Sequence, residues 1–140
     1  MRSHLYVYLF GLATQTAALA DAQGLTVVLD DVKHANGQLH VGLYRDADSF
    51  REEGRAAAVR IVPATSGRVS VAFDAQPPGR YAVMAWHDED GDGQFKRRFG
   101  MFPVEGYGLS NNPDKAGPPA FDDSAFDLPA ASGVVVRMRY

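Results

Sequence analysis

Asp88, Asp90 and Asp92 stand at alternate positions in His-Asp-Glu-Asp-Gly-Asp-Gly-Gln-Phe, residues 87–95, with Gly91 and Gly93 set among them. Carboxylates this close repel one another by about 1 kcal/mol per pair even in water, and glycines let a short loop turn all three toward one centre. The chemistry this suits is the binding of a hard cation. Calcium takes six to eight oxygens in a tolerant geometry, and the spacing follows the first half of an EF-hand loop. The second half departs: the position of the bidentate glutamate is Phe99, and Lys96-Arg97-Arg98 opens no amphipathic exit helix. The reading is therefore a calcium-type loop between strands. Asp88, Asp90 and Asp92 supply carboxylates, Gln94 its backbone carbonyl, and Glu105 is the distant acid, because Glu-Gly-Tyr-Gly is a turn able to fold back. A solvated acidic turn is the plain alternative. Asp122 and Asp123 are weaker candidates, better suited to capping or solvation.

His87 could join Asp88 or Asp90 on a transition metal. One histidine among hard oxygens is a poor zinc site, and no second histidine is near in sequence, so His87 is expected to pack against the loop and bond a backbone carbonyl. Tyr107, Ser110, Asn111 and Asn112 offer a ring and amides for a sugar or peptide, but serine and asparagine in a wound loop more readily satisfy their own backbone. Catalysis has little support. The chain has no cysteine, Ser110 lacks a nucleophile-elbow context, and acids in a glycine loop are ligands more readily than an acid and a base. The expectation is a protein that is not an enzyme; the alternative is an envelope enzyme acting on a glycan or small molecule with Glu105 or His87 as general base.

The rest of the chain sets the context. Arg2, an apolar run from Leu5 to Leu12 and Ala18-Leu19-Ala20 read as a signal peptide over residues 1–20, too short to span a membrane. Export to the periplasm or beyond follows, as a monomer with no later membrane span. Residues 21–140 suffice for one domain. With no cysteine for a disulfide, a bound metal is one available staple. The net charge of −3 and the lack of a basic stripe argue against nucleic acid as a partner; a protein or glycan ligand is the expectation. Lys96-Arg97-Arg98 reads as local balance for the aspartates.

Period-two alternation recurs: Leu25, Val27 and Leu29; Leu39, Val41 and Leu43; Val59 and Ile61; Val69, Val71 and Phe73; Tyr81, Val83 and Ala85; and Val134, Val136 and Met138. Asn36-Gly37 between the first two runs predicts an opening β-hairpin, strands 25–33 and 38–45. Residues 46–54 suit a single helical turn, with Phe50 plugging one end of the core. Residues 80–87 are apolar on both faces, which predicts a central strand covered on both sides; Trp86 belongs to its core. The stretch 94–123, with Gly100, Gly106, Gly108, Gly117 and four prolines, is one long glycine-rich loop. About seven short strands without a long helix predict an all-β, immunoglobulin-like or prealbumin-like sandwich, with an edge strand able to pair with another chain as a further route to a partner.

Pro78-Gly79-Arg80-Tyr81-Ala82-Val83 leading into Ala85-Trp86-His87-Asp88-Glu89-Asp90-Gly91-Asp92-Gly93, then Phe99-Gly100, Pro103, Glu105-Gly106-Tyr107-Gly108 and Ser110-Asn111-Asn112, resembles the bacterial domain of unknown function 2141 family. The resemblance runs from Leu25 to Tyr140. It implies a small exported sandwich and no particular activity. The Pro-Gly-x-Tyr-x-Val start of the strand is also similar to prealbumin-like and collagen-adhesin B-type sandwiches. Family members mix Asn and Asp in the loop, so Asp at all of 88, 90 and 92 favours a cation; Met101-Phe102 departs only locally.

Overall fold

A computed structural model describes residues 23–98, 102–103 and 105–140, with the side chains of residues 23, 97, 98, 102 and 103 left aside. The signal-peptide segment, Phe99 and Gly100 lie outside these residues. Two sheets face each other. One has the order β10-β1-β4, built from β1 (Gln23–Val32), β4 (Gly67–Gln76) and β10 (Gly133–Arg137). The other has the order β3-β2-β5-β8, built from β2 (Gln38–Tyr44), β3 (Ala58–Pro63), β5 (Gly79–Asp88) and β8 (Tyr107–Leu109), with β9 (Phe126–Leu128) also paired to β5. A small ribbon, β6 (Arg97–Arg98) with β7 (Phe102–Pro103), forms within the long loop. The all-β sandwich is as expected, with eight strands in the two sheets rather than about seven. Among the described residues no helix is long and apolar enough to cross a membrane.

Alternation fills the space between the sheets. Leu25, Val27 and Leu29 of β1, Leu39, Val41 and Leu43 of β2, Val71 and Phe73 of β4, Tyr81, Val83 and Ala85 of β5, and Val136 form one buried cluster. Each fully buried aliphatic side chain contributes roughly 1.5–3 kcal/mol, so this layer is the main source of stability. On β3, Val59 and Ile61 share the outward face and Ile61 is half exposed, while Ala58 and Val62 pack on the core.

The opening hairpin is not formed. β1 pairs with β10, in parallel, and with β4; β2 pairs with β3 and β5. Both edges of each strand are already taken, those of β1 by β10 and β4 and those of β2 by β3 and β5, so the two strands face each other across the core and do not pair. The Asn36-Gly37 turn instead carries the chain from one sheet to the other.

β5 is central, between β2 and β8, and both its faces are covered. The outer face holds a second cluster: Tyr44, Phe50, Ala82, Met84, Leu109 and Phe121. Segment 46–57, ending in a 3-10 turn at Glu53–Arg55, and segment 110–125, with the short helix α1 (Phe121–Ser124), lie over it. Phe50 therefore does not plug an end of the core between the sheets. It stacks edge-on between Tyr44 and Phe121 on the outer face, 5.6 and 5.8 Å centroid to centroid.

Candidate functional site: a four-carboxylate loop beside an aromatic cleft

The alternation of β5 continues past its end and sorts the acidic loop into two sides. Trp86 and Asp88 follow Met84 on the outer face; His87 follows Ala85 on the inner one. Asp88 is 1% exposed and paired in register with Gln38. Its two oxygens accept the backbone N–H groups of Asp92 (3.1 Å) and Gly93 (2.8 Å), which curls the loop over it. Gly91 and Gly93 take φ of 71° and 74°, the left-handed region that makes this curl cheap only for glycine. Asp90 accepts from Asp92 N, and Asp92 accepts from Gln94 N at 2.9 Å.

Glu105 closes the arrangement. Its side chain is buried, takes the Lys96 backbone N–H at 3.1 Å, and brings a carboxylate oxygen to within 4.8 Å of one from each of Asp88, Asp90 and Asp92. The turn does fold back onto the loop. Gln94 is exposed, and what it gives the loop is its N–H. Burial, and then the charges of the three aspartates, push the Glu105 carboxyl above its ordinary value. The Lys96 ammonium bonds Asp90 and lies 3.2 Å from Asp92, so it is the local balance expected of this basic cluster. That bond holds the Asp90 carboxyl down at about 2 and raises the lysine. Four oxygens converging from two segments, two of them on buried side chains, are a donor set for a hard divalent cation. Asp122 and Asp123 take no part: they pair with Arg80 (2.9 Å) and Lys115 (3.0 Å).

His87 faces away from the aspartates. It is fully buried, with Nε2 2.6 Å from the Asn36 carbonyl and Nδ1 2.7 Å from the Tyr140 hydroxyl, so it bonds a backbone carbonyl as expected. With one nitrogen on a backbone carbonyl and the other on the Tyr140 hydroxyl, the ring is fully hydrogen-bonded. Ser110, Asn111 and Asn112 prove to be latches. Ser110 Oγ accepts Val83 N–H and donates to Ser124 O; Asn111 Nδ2 donates to Asp123 O and Ala125 O; Asn112 spans Val135 O and Arg137 N on β10.

Two residues that the sequence does not point to stand out. His40, on the outer face of β2, stacks on Trp86 at 4.2 Å and turns Nδ1 to the Glu53 carboxylate at 2.9 Å; the same carboxylate takes the Trp86 indole N–H at 2.9 Å. Glu53 comes from the 3-10 turn, remote in sequence from both. Neither position carries a motif, and only the β2–β5 register, which sets His40 opposite Trp86, could have suggested the pair. Beside them lies a surface cleft of about 480 Å³, lined by Tyr44, Val59, Met84, Trp86 and Phe95 together with Arg51, Glu53 and Gly93. Burial, then the charges of Glu53 and Glu52, push the Tyr44 phenol up to about 12.

The family model for uncharacterized proteins conserved in bacteria, DUF2141, matches residues 27–135. The chain belongs to that family. The match takes in both sheets, the acidic loop and Glu105, so in this DUF2141 protein the carboxylate cluster and the adjoining cleft are part of the family domain and not an appendage to it. No curated protein and no solved structure matches the chain.

Proposed function

We propose that this DUF2141 chain is an exported binding module, without catalytic activity, whose acidic loop holds calcium and thereby fixes one end of the sandwich. The observation that carries the reading is the convergence of Glu105 on Asp88, Asp90 and Asp92 within 4.8 Å. A buried glutamate drawn from a separate segment into three aspartates needs a counter-charge; the Lys96 ammonium reaches Asp90 and Asp92, and a divalent cation would serve Asp88 and Glu105 as well. The Gln94 carbonyl and water would complete the shell. The cleft lined by Tyr44, Trp86 and Phe95 is of the size that holds small ligands, and Gly93 makes the loop part of its lining. Calcium would thus stiffen the wall against which a glycan or peptide seats.

The test is thermal melting in millimolar calcium against chelator. With the ~10⁻⁴ to 10⁻³ M affinity of extracellular calcium modules, mass action adds about 0.4 to 1.4 kcal/mol. The expected result is a melting temperature a few degrees higher with calcium, and no difference in Asp90→Ala. Identical melting of the unaltered chain in both buffers would refute the reading.

A further inference from the structure

We propose that His34, His87 and Glu89 form a second metal site, for a late first-row divalent transition ion such as zinc, on the opposite side of the loop from the four carboxylates. The same alternation that sends Asp88 and Asp90 one way sends His87 and Glu89 the other. There they meet His34, from the link between β1 and β2. One ligand atom from each residue lies within 4.8 Å of the other two, and the two imidazoles are 4.6 Å apart, centroid to centroid. Two nitrogens and one carboxylate, with a position left for water, form a donor set that zinc accepts and calcium does not favour.

The link and the loop are closely packed, and the proton inventory suits the task. A Cβ on Gly37 would come within 1.8 Å of the Asp88 carbonyl oxygen, so the link that carries His34 is pressed onto the loop that carries Glu89. Nε2 of His87 faces a carbonyl, which can only accept; it therefore holds the proton, and Nδ1 keeps the lone pair. A backbone carbonyl behind the ring is the support that metal-ligating histidines carry. His34 and Glu89 are about one-third exposed and give an ion access from solvent.

Without an ion the same groups satisfy one another. His34 Nε2 meets Glu89 at 3.1 Å, and Tyr140 O–H donates to His87 Nδ1. An ion must displace that phenol and put a proton on His34 Nδ1, which breaks the exposed 3.2 Å bond from Asn36 N–H. The second bond is exposed; the first is part-buried, with Tyr140 itself 48% exposed and its hydroxyl also accepting Lys33 N–H at 3.2 Å, a bond the displaced phenol would give up as well. Nothing here depends on calcium at the carboxylates, so either site can fail without the other.

The experiment titrates the tag-free chain, in millimolar calcium, with cobalt(II) and then zinc. One equivalent of cobalt(II) should give the visible absorption of a low-coordinate nitrogen-containing site, bleached by zinc. His34→Ala and Glu89→Gln, both surface changes, should each weaken zinc at least about tenfold. Zinc affinity unchanged in those two variants, or lost instead in Asp90→Ala, overturns the proposal. So does a chain that takes up neither ion at micromolar concentration.

Discussion

Nε2 of His40 faces the Asp88 carboxylate across 3.6 Å, and it makes no hydrogen bond to any described residue. Nδ1 is committed to Glu53, which can only accept. The buried imidazole therefore bridges the carboxylate of the cleft and the most deeply buried carboxylate of the loop. Asp88→Asn keeps the shape of that group, one of its acceptors, and gains a donor that can face His40. The expected outcome is a chelator-buffer stability about 1–3 kcal/mol below the parent, the cost of leaving the Gly93 N–H without its acceptor, together with loss of the calcium response. Denaturant melts with and without calcium measure both quantities. A retained calcium shift would remove Asp88 from the ligand set.

Lys96 is a tethered competitor for the same carboxylates, since its ammonium lies against Asp90 and Asp92. Lys96→Met removes it while keeping an unbranched chain of similar reach. Calcium affinity should rise, and stability in chelator should fall as the aspartates lose their counter-charge. Isothermal titration gives the first and melting the second. Equal affinity in both proteins would show that calcium does not displace the lysine.

Glu105 gives a pH dependence of opposite sign to that of most carboxylates. Its folded-state pKa is raised above 4.5, by burial first and then by the aspartates. The folded chain therefore holds more protons than the unfolded one in the window just above 4.5, and stability in chelator falls as pH rises through that window. Asp90, lowered to about 2, acts oppositely and only below 3.8. Glu105→Gln keeps an acceptor for Lys96 N–H and removes the charge. In chelator at pH 7 it should melt higher than the parent, and in calcium its advantage should vanish or reverse. A variant that melts lower than the parent in chelator would show that the charge itself is stabilising.

The strands, the two-faced β5 and the acidic loop are legible because alternation and glycine spacing are local properties. Glu105 is legible only as a candidate, because a Glu-Gly-Tyr-Gly turn can fold back onto the loop or leave its acid in solvent. What cannot be read is the pairing. Asn36-Gly37 has the chemistry of a hairpin, yet β1 and β2 lie in different sheets, because non-local pairings with β4 and β10 and with β3 and β5 take both edges of each strand and override the local turn. The same error hides His34: with the link treated as a hairpin tip, nothing brings it to His87, although their rings are neighbours. His40 and Glu53 are invisible for a related reason, being joined only through the register of β2 on β5.

Ser110 separates architecture from ion binding. Its hydroxyl is fully buried, accepts Val83 N–H at 2.8 Å and donates to Ser124 O, so it ties β5 to the segment that covers the outer face. Ser110→Ala leaves a buried N–H and a buried carbonyl short of a partner, which costs about 1–3 kcal/mol, or roughly 4 to 10 °C for a domain of this size. The calcium increment should be preserved, because no atom of Ser110 reaches the four carboxylates. If Ser110→Ala abolished the calcium response while melting normally in chelator, the cover and the loop would have to be one cooperative unit, and the cleft between them would close and open with the ion.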